Sequence, residues 1–320
     1  MKIVNLDPWN YSEEAKKIYK TLGEYSECSN LSREELKRVI LDTEILILRL
    51  SHRLDKEILS CSNHLKYIVT NCTGLDHIDL KYCNENGITV ISLKGEIDFL
   101  RGIYATAELT WGLIIDSHRN ISAAQNHVVD TLTWNRDLFF GQDLYGKSIG
   151  ILGFGRIGEK ICRYARAFGM NVFAYDPSPI SEPEGVVFLD SIEQLFNENI
   201  DIISIHINYS SENHHLISRS LISKLDSATI INTSRGAVVK EDDIIEGLEF
   251  KNVKCYATDV LENENSSGFL KDSALLRAKN NGKNIIITPH IGGVTYESWH
   301  KTEDYCARKL MSSLDSNEKA

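Results

Sequence analysis

No stretch of these 320 residues approaches the roughly 20 consecutive apolar positions that a membrane-spanning helix needs. Positive charge is not in excess either: 35 lysines and arginines stand against 45 aspartates and glutamates, a net charge of −10. A nucleic-acid surface needs a basic face, so no nucleic-acid partner is expected, while a local basic pocket for a small anion stays compatible. The seven cysteines, at 28, 61, 72, 83, 162, 255 and 306, contain no C-x-x-C pair. A scattered, odd set implies free thiols and a reducing, cytoplasmic setting. Short-period repeats and low-complexity blocks are missing. The segment MKIVNLDPWN has no long apolar run and reads as a first strand rather than a signal peptide.

What is present is an ordinary globular composition, 42% hydrophobic and 25% charged, on a chain long enough for two domains. Short apolar runs alternate with amphipathic segments. KIVNL (2–6), ILIL (45–48), YIVT (67–70) and ITVIS (88–92) read as strands. Helices between them open on capping-box patterns such as Ser32 with Glu35, and the same pattern recurs at Ser191 with Gln194. One long helical stretch, ATAELTWGLIIDSHRNISAAQ (105–125), precedes a second βαβ series. Its strand candidates are SIGILGFG (148–155), NVFAYD (171–176), DIISIHI (201–207), ATIINT (228–233), KCYATDV (254–260) and NIIITPH (284–290). This rhythm implies an α/β protein with parallel sheets covered by helices on both faces. The polar segment 263–273 reads as a surface loop, and the tail SSLDSNEKA is expected to fray.

Gly153, Gly155 and Gly158 form G-x-G-x-x-G directly after an apolar strand and at the start of a helix. The first glycine allows a tight turn, the second lets a pyrophosphate approach the backbone, and the third lets helix and strand pack closely. The helix N-terminus then favours phosphate. The next strand ends in Asp176, 18 residues beyond Gly158. A carboxylate there accepts hydrogen bonds from ribose hydroxyls and repels a 2′-phosphate, which favours NAD over NADP. Arg156, inside the turn, points either to the pyrophosphate or to solvent.

Three polar residues follow later strands: Arg235 after ATIINT, Glu264 after KCYATDVLEN, His290 after NIIITP. In an open parallel sheet, strand carboxyl ends face the ligand, so the three can converge. Singly, each has a plainer reading: a strand-end salt bridge, a solvated loop glutamate, a helix-capping histidine.

In order, GFGRIG, YDP, INTSRGAVV, DVLENE and TPHIGG resemble the D-isomer-specific 2-hydroxyacid dehydrogenases. GLDHIDL (74–80), ATAELT (105–110), Trp134 and the segment 143–158 fit the same order, so the resemblance runs through most of the chain. It implies two doubly wound parallel-sheet (Rossmann/flavodoxin-like) domains with a cleft between them. Residues 1–102 plus 291–320 would form the substrate domain and 103–290 the NAD-binding domain, with crossings near 101–103 and 290–294. Arg235 resembles the arginine that grips the substrate carboxylate, a task suited to its planar fork. His290 resembles the general acid/base and Glu264 its carboxylate partner, which favours the imidazolium. Asp259 resembles the residue that orients the nicotinamide carboxamide. Thr106, Ile157, Thr233 and Ser234 join the implied cofactor contacts. Thr73 and Gly74 match a loop whose N–H groups meet the substrate carboxylate. Arg49 stands where some relatives contact the substrate's far end, and an arginine there suits a distal phosphate or carboxylate; a plain surface arginine is the alternative.

The chain departs from that pattern in places. His206-Ile207-Asn208 replaces His-x-Pro, which suggests a looser loop near the adenine. Asn265 follows Glu264 where proline is usual. The segment SLKGEIDFLRGIYATAEL is longer than in many relatives and carries Lys94, Glu96 and Arg101 near the expected active-site mouth. His214-His215 is followed by no cysteine or acidic cluster at ligand spacing, so the pair reads as part of a polar loop and no metal is expected. The resemblance implies a homodimer that includes the segment around Trp134. It implies reduction of a 2-keto acid, tilted by Arg49 and HIGG toward a phosphoglycerate-like substrate, with glyoxylate, hydroxypyruvate and D-lactate open. No C-terminal regulatory domain is expected at this length. The alternative is an NAD(H)-sensing binding protein of the corepressor type.

Overall fold

The computed structural model describes residues 1–318 except 265 and 267, so Asn265 lies outside the described residues. The chain divides into two compact units. One contains Met1–Ile103 and Val294–Ala320, the other Tyr104–Gly293.

The first unit holds a five-stranded parallel sheet. Its strands are β1 (Lys2–Asn5), β2 (Glu24–Glu27), β3 (Ile45–Ile47), β4 (Tyr67–Val69) and β5 (Thr89–Ile91), in the order β2-β1-β3-β4-β5. One face packs Leu36, Ile40, Ile58 and Leu59; the other packs Tyr19, Leu100, Cys306 and Leu310. The helix Tyr296–Glu318 covers the second face, and it includes most of the tail expected to fray. The longer segment 93–103 folds into the short helix Ile97–Arg101. Glu96 pairs with Lys309 and with the Tyr305 hydroxyl, and Phe99 stacks on Tyr305 at 4.0 Å. It is therefore packed against this unit's own C-terminal helix.

The second unit holds a seven-stranded parallel sheet: β6 (Ser148–Leu152), β7 (Asn171–Tyr175), β8 (Val186–Phe188), β9 (Ile202–Ile205), β10 (Ala228–Asn232), β11 (Val253–Thr258) and β12 (Ile285–Ile287). Their order is β12-β11-β10-β9-β6-β7-β8. The central strands β9 and β10 are buried at every position. Helices cover both faces, which is why these strands read as unbroken apolar runs.

The segment 263–273, expected to be a loop, contains the short helix Phe269–Asp272, and two strands escaped the sequence. β2 (EYSE) and β8 (VVF) are edge strands, mostly exposed or half-buried, and carry no buried run to betray them. The helical stretch 105–125 is also two helices, Ala105–Arg119 and Ile121–Thr131. Asn120 breaks it by taking a left-handed conformation, φ +54°, which asparagine tolerates better than most residues. Its side-chain amide donates to the Phe140 carbonyl at 3.1 Å, while Asp116 accepts from the Ser122 N–H at 2.8 Å.

Candidate active site

The chain runs from β6 outward through β7 and β8, then returns to β9 on the other side of β6. Ligands bind at such a switch point, off the strand carboxyl ends. Gly153 sits there. Its φ is +93°, and a Cβ on it would lie 2.6 Å from the His206 carbonyl oxygen at the end of β9. A Cβ on Gly158 would lie 2.3 Å from the Gly153 carbonyl oxygen. Gly155 is different: nothing lies within 4 Å of its Cβ position. It precedes the helix Arg156–Ala167, whose first turn receives no side-chain cap. Two glycines thus close the turn on itself, and the third leaves open space over unsatisfied N–H donors. That cradle fits a pyrophosphate. Arg156 and Ile157 form the first turn and are half-buried; burial lowers the affinity of the Arg156 guanidinium for its proton.

Asp176 ends the neighbouring strand β7. One oxygen accepts from the Phe154 N–H at 2.7 Å, the other from the Ser178 N–H at 2.8 Å. A carboxylate accepts about four hydrogen bonds, so capacity remains for ribose hydroxyls. The loop at 206–208, expected to be loose, is tied at its start. The His206 N–H donates to Leu152 O at 2.7 Å and its Nε2 pairs with Ser204 Oγ at 2.8 Å. Its Nδ1 is buried without a hydrogen-bond partner among the described residues, and burial drives the imidazole pKa down to about 3.

The three residues proposed for chemistry lie at the carboxyl ends of β10, β11 and β12. Arg235 leaves β10 in extended conformation, φ −142°. Asn232, a position the sequence reading passed over, shapes this turn. Its amide donates to the Arg235 carbonyl at 3.1 Å, and its Oδ1 accepts from the Ser234 N–H at 3.0 Å and the Ser234 hydroxyl at 2.8 Å. The Arg235 guanidinium donates to the Ser234 carbonyl at 2.8 Å. A Cβ on Gly236 would lie 2.1 Å from the Leu261 carbonyl carbon, so the Arg-Gly turn rests directly on the loop that carries Glu264. Glu264 Oε1 and His290 Nδ1 are 2.7 Å apart, with side chains 19% and 29% exposed. The structure therefore makes the histidine–carboxylate pair and packs the arginine's turn against the same loop.

Asp259, expected on the nicotinamide carboxamide, also has a part within the protein. Its carboxylate holds the histidine loop: it accepts from Thr288 Oγ1 at 2.5 Å, from the Ile291 N–H at 2.8 Å and from the Gly292 N–H at 2.7 Å. Its carbonyl accepts from the His290 N–H at 2.9 Å. Burial raises the carboxyl pKa, and these hydrogen bonds counter the rise. Thr233 is nearly buried and pairs with Thr110 Oγ1 at 2.8 Å, another contact invisible in the sequence. Thr110 in turn donates to the Thr106 carbonyl at 2.7 Å, and the Thr106 side chain lies 3.4 Å from a Cβ position on Gly292.

In the first unit, Thr73 is exposed and Gly74 half-buried, in the loop after β4. Arg49 is mostly buried and paired with Glu303. Its Nε and Nη2 both donate to Glu303 Oε1, at 3.0 and 2.5 Å. His214 and His215 stack at 3.9 Å, and His215 Nε2 lies 2.8 Å from Glu262 Oε1. One ligand atom from each of the three lies within 4.8 Å of the others. Glu262 arrives from 47 residues away, beyond any motif spacing. It ties the 214–215 turn to the Glu264 loop.

The family model for the NAD-binding domain of D-isomer specific 2-hydroxyacid dehydrogenases matches residues 111–292. The chain is 33% identical over 318 residues to a D-3-phosphoglycerate dehydrogenase of Methanocaldococcus jannaschii, covering 98% of this chain but 57% of that protein. It is 30% identical over 286 residues to a hydroxypyruvate reductase of Thermotoga maritima, covering 89% of each. The crystal structure of a D-lactate dehydrogenase from Aquifex aeolicus, complexed with NAD and lactic acid, matches with a TM-score of 0.80 and 26% identity. That match covers 100% of this chain and 97% of the other. With the glycine cradle and the paired His290 and Glu264, these matches show that the chain belongs to the D-isomer specific 2-hydroxyacid dehydrogenases, NAD-dependent oxidoreductases acting on a CH–OH group.

Proposed function

We propose that this protein interconverts a small 2-keto acid and its D-2-hydroxy acid. The observation that carries the reading is the 2.7 Å contact between His290 and Glu264, held beside the Arg235 turn at the carboxyl end of an NAD-binding sheet. Bound NADH supplies the hydride for reduction, and NAD accepts it in the reverse direction. An ionised Glu264 can only accept, so Nδ1 of His290 carries a hydrogen toward it. That leaves Nε2 as the atom that gives a proton to the substrate oxygen and later retrieves it. Arg235 binds the substrate carboxylate through its planar fork and polarises the keto oxygen. Asp259 contributes by fixing the backbone that aims His290.

The glycine cradle, Arg156, Ile157, Thr106, Thr233 and Ser234 are the residues that would hold the dinucleotide, and Asp176 selects NAD. The homodimer contact belongs on residues 121–145, where Leu132 and Trp134 are each 90% exposed and Phe140 85%. Apolar side chains so bare usually mark an interaction surface. All seven cysteines are free thiols, in keeping with a cytoplasmic setting. Relatives named as dehydrogenases and reductases support turnover, and no observation favours the sensor alternative.

The experiment is NADH oxidation against glyoxylate, hydroxypyruvate, pyruvate and phenylpyruvate. Reduction of at least one to the D-hydroxy acid is expected. Tight NADH binding with no turnover of any would overturn the reading.

A further inference from the structure

In an extended chain, neighbouring side chains point to opposite sides. His214 and His215 do not: their rings stack at 3.9 Å with an interplanar angle of 23°. The cause is the backbone of His215, whose φ of +54° lies in the left-handed region that residues with side chains seldom occupy. The turn is pinned there. The His215 N–H donates to the Ala237 carbonyl at 2.9 Å, and its Nε2 lies 2.8 Å from Glu262 Oε1. Strained conformations of this kind persist where the surroundings over-determine them, often at ligand sites.

Glu262 stands on the loop after β11 and brings a carboxylate to the two imidazoles. One ligand atom from each of the three lies within 4.8 Å of the others. A tetrahedral zinc ion, with bonds of about 2.0–2.2 Å, holds its ligand atoms roughly 3.3 Å apart. Glu262 Oε1 and His215 Nε2 would part slightly from 2.8 Å, and the His214 ring, on an exposed residue, is free to close the rest. The Tyr209 hydroxyl lies 3.4 Å from His214 Nδ1, the kind of outer contact that orients a coordinating imidazole. The surroundings favour a cation. The adjoining cleft is lined by Glu241, Asp242, Glu262 and Asp272. Lys240 also lines it, but its ammonium lies 3.2 Å from Asp243. The Glu262 N–H donates to Glu241 Oε1 at 2.8 Å, so a second carboxylate stands directly behind the first. Burial raises the Glu241 carboxyl pKa, a rise that the Glu262 N–H opposes and the Glu262 charge augments. A divalent cation on Glu262 offsets that repulsion.

We propose that His214, His215 and Glu262 form a site for zinc or a similar late transition-metal ion, with three protein ligands and a fourth position left to water. Two imidazoles with one carboxylate suit zinc, whereas magnesium and calcium take oxygen ligands. In this state His215 presents the lone pair of Nε2 and carries its hydrogen on Nδ1. The site departs from the polar-loop reading of the two histidines because Glu262 lies 47 residues further on, where no local spacing reveals it. The bound ion fixes the 214–215 turn to the loop that carries Glu264. The proposal does not depend on the 2-keto acid reading.

The test takes the full chain without an affinity tag, strips it with a chelator and titrates it with zinc chloride in a calorimeter. One zinc ion per chain is expected, and no binding would overturn the proposal. The free thiols are competing ligands, so His214→Gln, a change at an exposed residue, carries the decision. It should weaken zinc binding at least about tenfold, and wild-type affinity in this variant would overturn the proposal. Glu262→Gln should weaken binding to a similar degree; a folded variant that binds zinc normally would contradict the site. Cobalt(II) in the wild type should show visible d–d absorption without a thiolate charge-transfer band. A thiolate band would assign the ion to cysteines and sink the proposal. Zinc should also raise the urea midpoint of the wild type and not that of His214→Gln, and equal rises in both would contradict it.

Discussion

His290 has φ +54°, a left-handed backbone unusual for a residue with a side chain. That conformation costs roughly 1–2 kcal/mol. The loop imposes it: the His290 N–H donates to the Asp259 and Thr288 carbonyls, and the next two N–H groups bind the Asp259 carboxylate. Replacing His290 by alanine and by glycine separates the backbone from the chemistry. Both variants lose the imidazole and its contact with Glu264, so that loss cancels between them. Glycine relieves the left-handed strain but loses about 0.4–1 kcal/mol through its freer unfolded chain. The glycine variant should therefore be more stable than the alanine variant by about 0.5–1 kcal/mol. Equilibrium urea unfolding measures this as a higher midpoint at equal slope. Both should lose about 10²–10⁴-fold in turnover, the usual share of a general acid/base. If alanine is as stable as glycine, the histidine is not held under strain. If glycine keeps its turnover, the acid/base assignment is wrong.

Arg235→Lys should bind NADH normally but lose most turnover, because an ammonium lacks the bidentate fork; near wild-type kcat/KM would remove the carboxylate role. Gly158→Ala should weaken NADH binding, read by fluorescence titration, because its methyl group would lie 2.3 Å from the Gly153 carbonyl; unchanged affinity would mean the helix can shift freely. Asp176→Ala should narrow the preference for NAD over NADP in the same titration, and an unchanged ratio would refute its ribose role. His118 is buried, and burial, helped by Lys254, lowers its pKa from 6.5 to about 4. The unfolded chain then binds the extra proton first, so stability present above pH 6.5 declines as pH falls toward about 4. The loss is about 3 kcal/mol at most, and a His118→Gln variant should show a flatter decline in urea midpoint over that window.

The legible parts of this molecule are those whose physics is local. Central strands announce themselves because both faces are covered, and the glycine turn because its spacing reflects a steric need within six residues. Glu264 and His290, which follow successive strands, do meet at 2.7 Å. The edge strands β2 and β8 were not, since a strand paired on one side carries little apolar signal. Nor could spacing show Glu303 under Arg49, since the two are 254 residues apart and the pairing exists only once the C-terminal helix packs on the sheet. The same holds for the hydrogen bonds by which the Asp259 carboxylate anchors the histidine loop.

The most direct test is a single turnover with NADH already bound, mixing wild type and His290→Asn with a 2-keto acid that the screen identifies. Asparagine tolerates the left-handed backbone, so the loop should persist. Wild type should transfer hydride to C2 and form the D-hydroxy acid, while the variant binds NADH equally well and reacts at least about 10²-fold more slowly. Equal rates in the two proteins would contradict the account.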